Sequence, residues 1–242
     1  MEQLWFTALL NRVFGGIVLS LLQALGIHPR YPATPISNSF AMEVMVALIL
    51  VIFFIAVRLR LSVENPGGLQ HAMEGIEGFF GGMGDEIIGH HYHSFHAYLV
   101  TLGLFILTCN LLGLIPSFES PTAVPIVPLG CALLTWAYYH FHGLRANGFG
   151  YFKHFIGPVW WLAPLMVPIE IFSHCARLLS LTVRLYANMF AGEMVTLVFF
   201  SLVPIGVPII FQGLHIGVAL IQTYIFVILA CVYLGEATAH EH

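Results

Sequence analysis

Residues 184–193 read Arg184-Leu185-Tyr186-Ala187-Asn188-Met189-Phe190-Ala191-Gly192-Glu193, inside a mostly apolar segment that runs from about Phe155 to Leu234. Arginine keeps its proton in proteins, and a permanent cation at membrane depth costs at least ~2.5–3.5 kcal/mol. Such a cation normally faces a partner or a water-filled cavity. An amide follows it after one helical turn, at Asn188, and a carboxylate follows at Glu193. The stretch therefore predicts a polar functional site inside a membrane helix.

The composition of the whole chain is that of an integral membrane protein. Of its 242 residues, 59% are hydrophobic and only 8% are charged, whereas soluble domains carry about 25% charged residues. The basic residues form no patch, which excludes nucleic acid as a partner. The four cysteines lie in apolar stretches without a CxxC pair, so we interpret them as packing residues.

The hydrophobic runs predict an all-α integral membrane protein with about five transmembrane helices. The spans cover about 40–57, 97–115, 124–141, 161–202 and 208–234. Prolines and a glycine in residues 203–208 break the last run, so its two arms form a long antiparallel helical hairpin. The first arm would be ~60 Å long across a hydrocarbon core of ~30 Å, and we expect strong tilt. An interfacial portion or a break near Pro164 and Pro168 is the alternative.

Residues 38–242 are predicted to form a single membrane domain, preceded by an external or interfacial segment over residues 1–37. Glu2 and the lack of a basic start argue against a cleaved signal peptide, and the apolar run that follows favours an interfacial amphipathic helix. The Gly-rich stretch over 61–89 has weak helical periodicity and predicts a second helix on the membrane surface. More basic residues follow the first and third spans than precede the first span. The positive-inside rule therefore places the C-terminus in the cytoplasm and the turn near 205 outside.

The polar residues of the two long arms are predicted to meet in layers about this turn. Arg184 then faces Gln222, and Glu193 faces His215. Glu193 lies half a helical turn around from Arg184 and ~13 Å nearer the turn. Toward the cytoplasmic side lie Glu170, which faces Glu236, and Ser173, His174 and Arg177. Glu and His side chains can carry protons, whereas Arg can only attract a carboxylate. The layout suits two half-channels that do not connect directly.

The run from Arg184 to Glu193 resembles the signature of subunit a of the bacterial F-type ATP synthase. Further similarity lies in Asn110-Leu111-Leu112-Gly113-Leu114-Ile115-Pro116, in Glu170…Ser173…Arg177, in His215…Gln222 and in the ending Glu236…Glu241-His242. The resemblance implies a stator subunit, without cofactor or metal, in the lipid bilayer of a bacterial inner membrane. Its partners would be a rotating c-ring of small two-helix subunits, b-type stator subunits and the rest of the ATP synthase.

The resemblance also implies a role for each polar residue. Arg184 would face the essential carboxylate of each passing ring subunit. The outer half-channel would be lined by Glu193, His215, Asn188 and Gln222, and the cytoplasmic one by Glu170 and Ser173. Asn110, Arg177 and His174 would be further residues of the proton pathway. Two positions depart from the family pattern. Gly113 stands where some bacterial members have an acidic residue, and Ala123-Val124-Pro125 replaces an acidic or amide residue that is often found there. The outer channel wall is therefore expected to be built differently.

Structural alternatives exist for these residues. Arg184 could snorkel or pair within the protein, and Arg177 could simply snorkel. Glu193 and His215 could form a static buried pair, and Asn110 could serve only to cap a helix or to bond between helices. A metalloenzyme is one rival function, since a histidine cluster of His90, His91, His93 and His96, with His140 and His142, could bind a metal. A stand-alone channel or secondary transporter is the other. Repeated His boxes and inverted repeats, which these rivals need, are not visible in the sequence.

Overall fold

The computed structural model describes residues 4–26, 31–62, 67–115, 118–151, 160–203 and 206–238, apart from the side chains of His90, His91, Phe149 and Trp160. Within these ranges the chain forms seven α-helices and no strand, which confirms the all-α prediction. The helices are α1 (Trp5–Ala24), α2 (Asn38–Leu59), α3 (Gly68–Ile88), α4 (His96–Leu112), α5 (Ile126–Asn147), α6 (Ala163–Leu202) and α7 (Val207–Thr238). Short 3-10 turns cover Gly89–Ser94, Pro121–Ala123, Gly148–Gly150 and Trp160–Leu162.

The membrane helices follow the predicted spans to within a few residues, except that α5 extends to Asn147. Among the described helices, four are long and apolar enough to cross a membrane, namely α1, α2, α6 and α7. The apolar helix α4 has 17 residues, and α5 is long enough but more polar. Helix α1 meets the same criterion although the sequence favoured an interfacial helix there. Its place at the surface, like the boundary at residue 37, stays a prediction. The protein is a multi-pass membrane protein.

The first arm of the hairpin is one continuous helix. Helix α6 runs for 40 residues with Pro164 in its first turn, where the missing N–H would have had no helical partner. Pro168 lies inside the helix without ending it, so the alternative of a break near these prolines is wrong. A helix of this length is ~60 Å long, twice the thickness of the hydrocarbon core. The arm must therefore tilt strongly or extend beyond the core.

Helix α7 lies at the centre of the packing and contacts α3, α4, α5 and α6. Its fully buried residues include Ala219, Gln222, Phe226, Val227, Ala230 and Leu234. Helix α6 is different, because its only buried residues within the described chain are Leu181, Thr182, Leu185 and Met189. One apolar face of α6 is consequently left uncovered by the described residues.

The stretch over 61–89 does contain the predicted helix, and α3 packs lengthwise along α7. The Phe79 ring lies 5.8 Å from that of Tyr224, and the carbonyl of Ile87 lies close to Gly235 about three turns further on. A Cβ at Gly103 of α4 would lie 2.8 Å from the buried Phe80 ring, so the glycine lets the ring in. The position of α3 at the membrane surface stays a prediction.

Three of the four cysteines are packing residues, as predicted. Cys109, Cys131 and Cys231 are buried, and all four thiols are free. The prediction is wrong for Cys175, which is exposed on α6. It lies in the part of α6 where the helix has few neighbours, so an apolar sequence context did not mean burial.

Candidate functional site

A cavity of about 610 Å³ lies where α4 ends, beside the ends of α6 and α7 that adjoin their connecting turn. We call it the turn-end cavity. Its polar lining consists of Glu119, Glu193, Thr196, Gln212 and His215. Apolar side chains, among them Phe118, Phe200 and Ile209, form most of the remaining wall. Two titratable groups predicted to act together, Glu193 and His215, therefore do lie on one cavity.

Glu193 is held by a loop rather than by the imidazole. The backbone N–H of Ser120 donates to Glu193 Oε1 at 2.9 Å. His215 forms no ion pair with Glu193 within 4.0 Å in the described structure. The alternative of a static Glu193–His215 pair is therefore wrong, and the direct pairing assumed in the layer prediction needs the same correction. The loop before α5 packs against α6, and its backbone binds one oxygen of the carboxylate.

His215 is only 4% exposed, and its Nε2 has no hydrogen-bond partner among the described residues. The imidazole packs against Gly192 of the other arm. A Cβ at Gly192 would lie 2.6 Å from Nε2 and 2.7 Å from Cδ2. A buried polar atom without a partner costs free energy. Its position on the turn-end cavity makes water in that cavity the natural partner.

Asn110 bonds three elements together at the side of this cavity. Its Oδ1 accepts from Thr122 Oγ1 at 2.7 Å, and its Nδ2 donates to Thr223 Oγ1 at 3.3 Å and to the carbonyl of Ala219 at 3.4 Å. Thr122 also bonds Ser120 Oγ at 2.8 Å. The interhelical bonding expected as an alternative for Asn110 is present. The network holds the Ser120 loop in place, and a role in the proton pathway stays a prediction.

Arg184 has one hydrogen bond to a side chain in the described chain, from Nη2 to Ser180 Oγ at 3.2 Å. No carboxylate of the described residues comes within 4.0 Å of the half-buried guanidinium. The register predicted that Gln222 faces Arg184. Gln222 instead accepts a hydrogen bond from Asn188 Nδ2 at 2.7 Å. Side chains lean toward the N-terminus of their own helix. Partners in antiparallel arms therefore meet later in the chain than a Cα register predicts.

The part of α6 away from the turn carries a second polar group, which we call the far-end cluster. Glu170 Oε1 lies 3.3 Å from His174 Nε2, and Tyr139 of α5 bonds His174 Nδ1 at 2.9 Å. Arg177 donates to Glu236 Oε2 at 2.5 Å and lies over the ring of Tyr233. Glu236 thus pairs with Arg177 rather than facing Glu170. Ser173 is half-buried beside this cluster.

Several residues of these sites were missed in the sequence. Ser120 acts through its backbone N–H, which no side chain reveals. Gln212 donates to the carbonyl of Leu114 at 2.5 Å and closes the turn-end cavity between α7 and α4. Tyr139 precedes His140 at the end of the third span, and this aromatic–histidine run was the one available signal for it.

The metalloenzyme alternative requires a cluster of metal ligands. Among the described side chains, no group of three or more His, Cys, Asp or Glu could hold an ion. His96 contacts Glu77, with Nε2 3.1 Å from Oε1, and His142 lies against the ring of Phe95. Tyr151 bonds His140 Nδ1 at 2.7 Å. His90 and His91 lie outside the described side chains, and His93 belongs to no such group.

Comparison with known proteins covers most of the chain. Residues 39–235 match the family model described as ATP synthase A chain. The chain is 61% identical to ATP synthase subunit a of Koribacter versatilis over 242 residues, which is 100% of this chain and 99% of that protein. It is 47% identical to ATP synthase subunit a of Solibacter usitatus over 96% of this chain and 99% of that protein, and 43% identical to ATP synthase subunit a 1 of Syntrophotalea carbinolica over 82% and 84%. These matches confirm the resemblance carried by residues 184–193, and the chain belongs to the ATP synthase A chain family.

Proposed function

We propose that this protein is the membrane-sector stator subunit of an F-type ATP synthase, in which Arg184 separates two proton half-channels. The observation that carries the proposal is the lack of an acidic partner for Arg184 among the described residues. A permanent cation in a membrane helix requires a partner or water. A carboxylate on a passing subunit of a rotating c-ring has the chemistry to supply that partner.

The surface around Arg184 suits the close approach of another helix. Ser180, Ala187 and Ala191 are exposed and lie on one side of Arg184, and apolar side chains such as Val183 continue the same face. Small residues let helix backbones approach closely in membranes. A small two-helix ring subunit could therefore bring its carboxylate to the guanidinium. The lipid bilayer, b-type stator subunits and the rest of the complex would cover other apolar surfaces.

The outer half-channel would lead from the turn-end cavity to the ring. Glu193 and His215 line the cavity, and the Asn188–Gln222 pair lies between Glu193 and Arg184 along α6. The distance along the helix from Glu193 to Arg184 is ~13 Å. Glu193 and His215 would pass protons inward, and the two amides would orient the ring carboxylate or a water beside Arg184.

The cytoplasmic half-channel would lead away through the far-end cluster. Glu170 and His174 can accept and release protons, and Ser173 lies next to them on α6. The Arg177–Glu236 pair lies between Glu170 and Arg184 along α6 and ties the two arms together. Because Arg184 lies between the two polar regions and cannot relay a proton, protons would have to cross on the ring.

Disulfide cross-linking tests the docking of a ring. In a cysteine-free background, Ala187→Cys should cross-link under mild oxidation to a cysteine placed beside the essential carboxylate of the ring subunit. Disulfides need Cα atoms ~4.4–6.8 Å apart, so the reaction reports close approach. The control is Ile52→Cys on α2, an apolar position that is 65% exposed. Equal cross-linking of Ala187→Cys and Ile52→Cys, or no cross-linking of Ala187→Cys, would refute the docking face.

The orientation can be tested by thiol labelling in the same background. We propose that the turn side of the hairpin faces the outside of a bacterial inner membrane and that the C-terminus is cytoplasmic, in keeping with the distribution of basic residues. An impermeant maleimide should label Val203→Cys in right-side-out vesicles, and His242→Cys only in inverted ones. Val203 is exposed beside the turn. Labelling of both positions from the same side would overturn this orientation.

A further inference from the structure

Gly113, at the end of α4, has no room for a side chain. A Cβ there would lie 2.4 Å from Ser120 Cβ, 3.0 Å from Ser120 Cα and 3.0 Å from Glu193 Oε1. The Ser120 backbone cannot retreat easily, because Ser120 and Thr122 are buried and hydrogen-bonded. The space for an acid on α4 is thus filled by the loop that precedes α5.

The same loop brings a different carboxylate to the turn-end cavity. Glu119 precedes Ser120, lines the cavity and is exposed. Its Oε1 accepts a hydrogen bond from Asn38 Nδ2 at the start of α2, at 3.4 Å. The backbone N–H of Ser120 holds Glu193 on the inner side of the loop. Glu119, the residue before Ser120, presents a second carboxylate on the exposed side.

The deeper groups on this cavity are placed to receive a proton rather than to capture one. His215 is only 4% exposed, and its Nε2 lacks a hydrogen-bond partner among the described residues. Glu193 is half-buried. The cavity of about 610 Å³ is large compared with a water molecule, which takes ~30 Å³ of liquid. Water in the cavity can therefore connect the exposed carboxylate of Glu119 with Glu193 and His215.

We propose that Glu119 is the proton-capturing residue at the mouth of the turn-end cavity, in a wall where Gly113 leaves no room for an acid on α4. The inference rests on the proposed function, since it names the entry residue of the outer half-channel. A proton from the outer solution binds a carboxylate oxygen of Glu119. It then leaves for cavity water and reaches Glu193 or the free Nε2 of His215. Only O–H and N–H bonds form and break, and Glu119 returns to its anionic form.

The first test measures ATP synthesis by the whole complex in liposomes whose lumen corresponds to the outer side. Glu119→Gln should lower the initial rate by roughly tenfold when the lumen is alkaline, because capture of scarce protons is then limiting. An acidic lumen should bring the rate close to wild type. Glu86→Gln is the matched control, because it removes an exposed carboxylate from α3 and lies away from the cavity. It should leave the rate unchanged at every lumen pH.

A chemical rescue restores the carboxylate in the assembled complex. In a cysteine-free background, Glu119→Cys should show the same defect. Iodoacetate, which adds a carboxymethyl group, should restore the rate, whereas iodoacetamide, which adds a neutral amide of similar size, should not. Because both reagents act after assembly, a folding defect cannot imitate this difference.

The role of Glu119 and the half-channels themselves are tested by different results. An unchanged rate for Glu119→Gln at alkaline lumen pH, or equal effects of iodoacetate and iodoacetamide, would overturn the assignment of Glu119. Arg184→Ala and Glu193→Ala in the same liposomes report on the half-channels themselves. Normal coupled synthesis by those two variants would instead overturn the proposed function.

Discussion

Arg184→Ala is expected to abolish ATP-driven proton pumping in inverted vesicles while the complex still assembles. Without the guanidinium, a ring carboxylate passing the stator would no longer be held in its charged form. The two polar regions would also lose the fixed charge between them. A proton moving down a membrane potential releases ~2.3 kcal/mol per 100 mV. A continuous path would dissipate this free energy without turning a rotor. Fluorescence quenching of a pH-sensitive dye measures the pumping.

The structure explains why assembly should survive this substitution. Arg184 bonds the exposed Ser180 in the described chain, so its removal leaves no buried carboxylate unpaired. Arg184→Lys should fail as well, because lysine is a compact charge that can lose its proton when buried. Arg58→Ala, at the exposed end of α2, removes the same side chain elsewhere and should pump normally. Coupled pumping by Arg184→Ala at the rate of Arg58→Ala would exclude the barrier role.

The helices could be predicted from the sequence because each is a long apolar run bounded by breakers. The hairpin is the clearest case, since prolines and a glycine cluster within residues 203–208 and separate two long apolar runs. Gly206 itself has a φ of 91°, a conformation that glycine adopts without strain. The positions of the prolines could not decide between a broken and a continuous α6, because Pro164 and Pro168 fall in its first two turns.

The contacts between the arms could be predicted only to within a helical turn. The layer idea correctly brought the amide of Gln222 to α6, but the partner is Asn188 and not Arg184. A register derived from numbering treats side chains as perpendicular to the helix, whereas they lean along it. Contacts that use the backbone, such as Ser120 N–H on Glu193, leave no mark in the side-chain pattern. The space at Gly113 depends on a loop whose path the sequence does not reveal.

The second large effect is expected at the turn-end cavity. Glu193→Ala or His215→Ala should lower proton translocation by ~10²-fold or more, since general acid–base groups typically contribute 10²–10⁴-fold. Neither variant should make the membrane leaky, because Arg184 remains in place. ATP-driven pumping and passive proton permeability should be measured on the same inverted vesicles. Increased passive leak in either variant would show that these residues belong to the barrier instead.

A steric variant separates the position of the imidazole from its chemistry. Gly192→Ala places a methyl group only 2.6 Å from His215 Nε2, which is too close for two non-bonded atoms, so the ring must move. This variant keeps every titratable group and should still slow translocation markedly. Gly213→Ala is the control, because nothing lies within 4 Å of a Cβ at that position. Normal translocation by Gly192→Ala would mean that the position of His215 on the cavity is unimportant.

The exchange of Glu193→His with His215→Glu asks whether the two groups act together. Both line one cavity but form no ion pair within 4.0 Å, so cavity water rather than a direct bond would connect them. An imidazole at 193 can still accept the Ser120 N–H through its unprotonated nitrogen, and the open space at Gly192 can take the slimmer carboxylate of a glutamate at 215. One acid and one imidazole then remain on the cavity, whichever arm carries each. The exchanged protein should therefore pump faster than either single exchange variant, although more slowly than wild type. If it is no faster than the slower of Glu193→His and His215→Glu, the two residues do not function as a unit. Each group would then be required at its own position, Glu193 beside the Ser120 loop and His215 against Gly192.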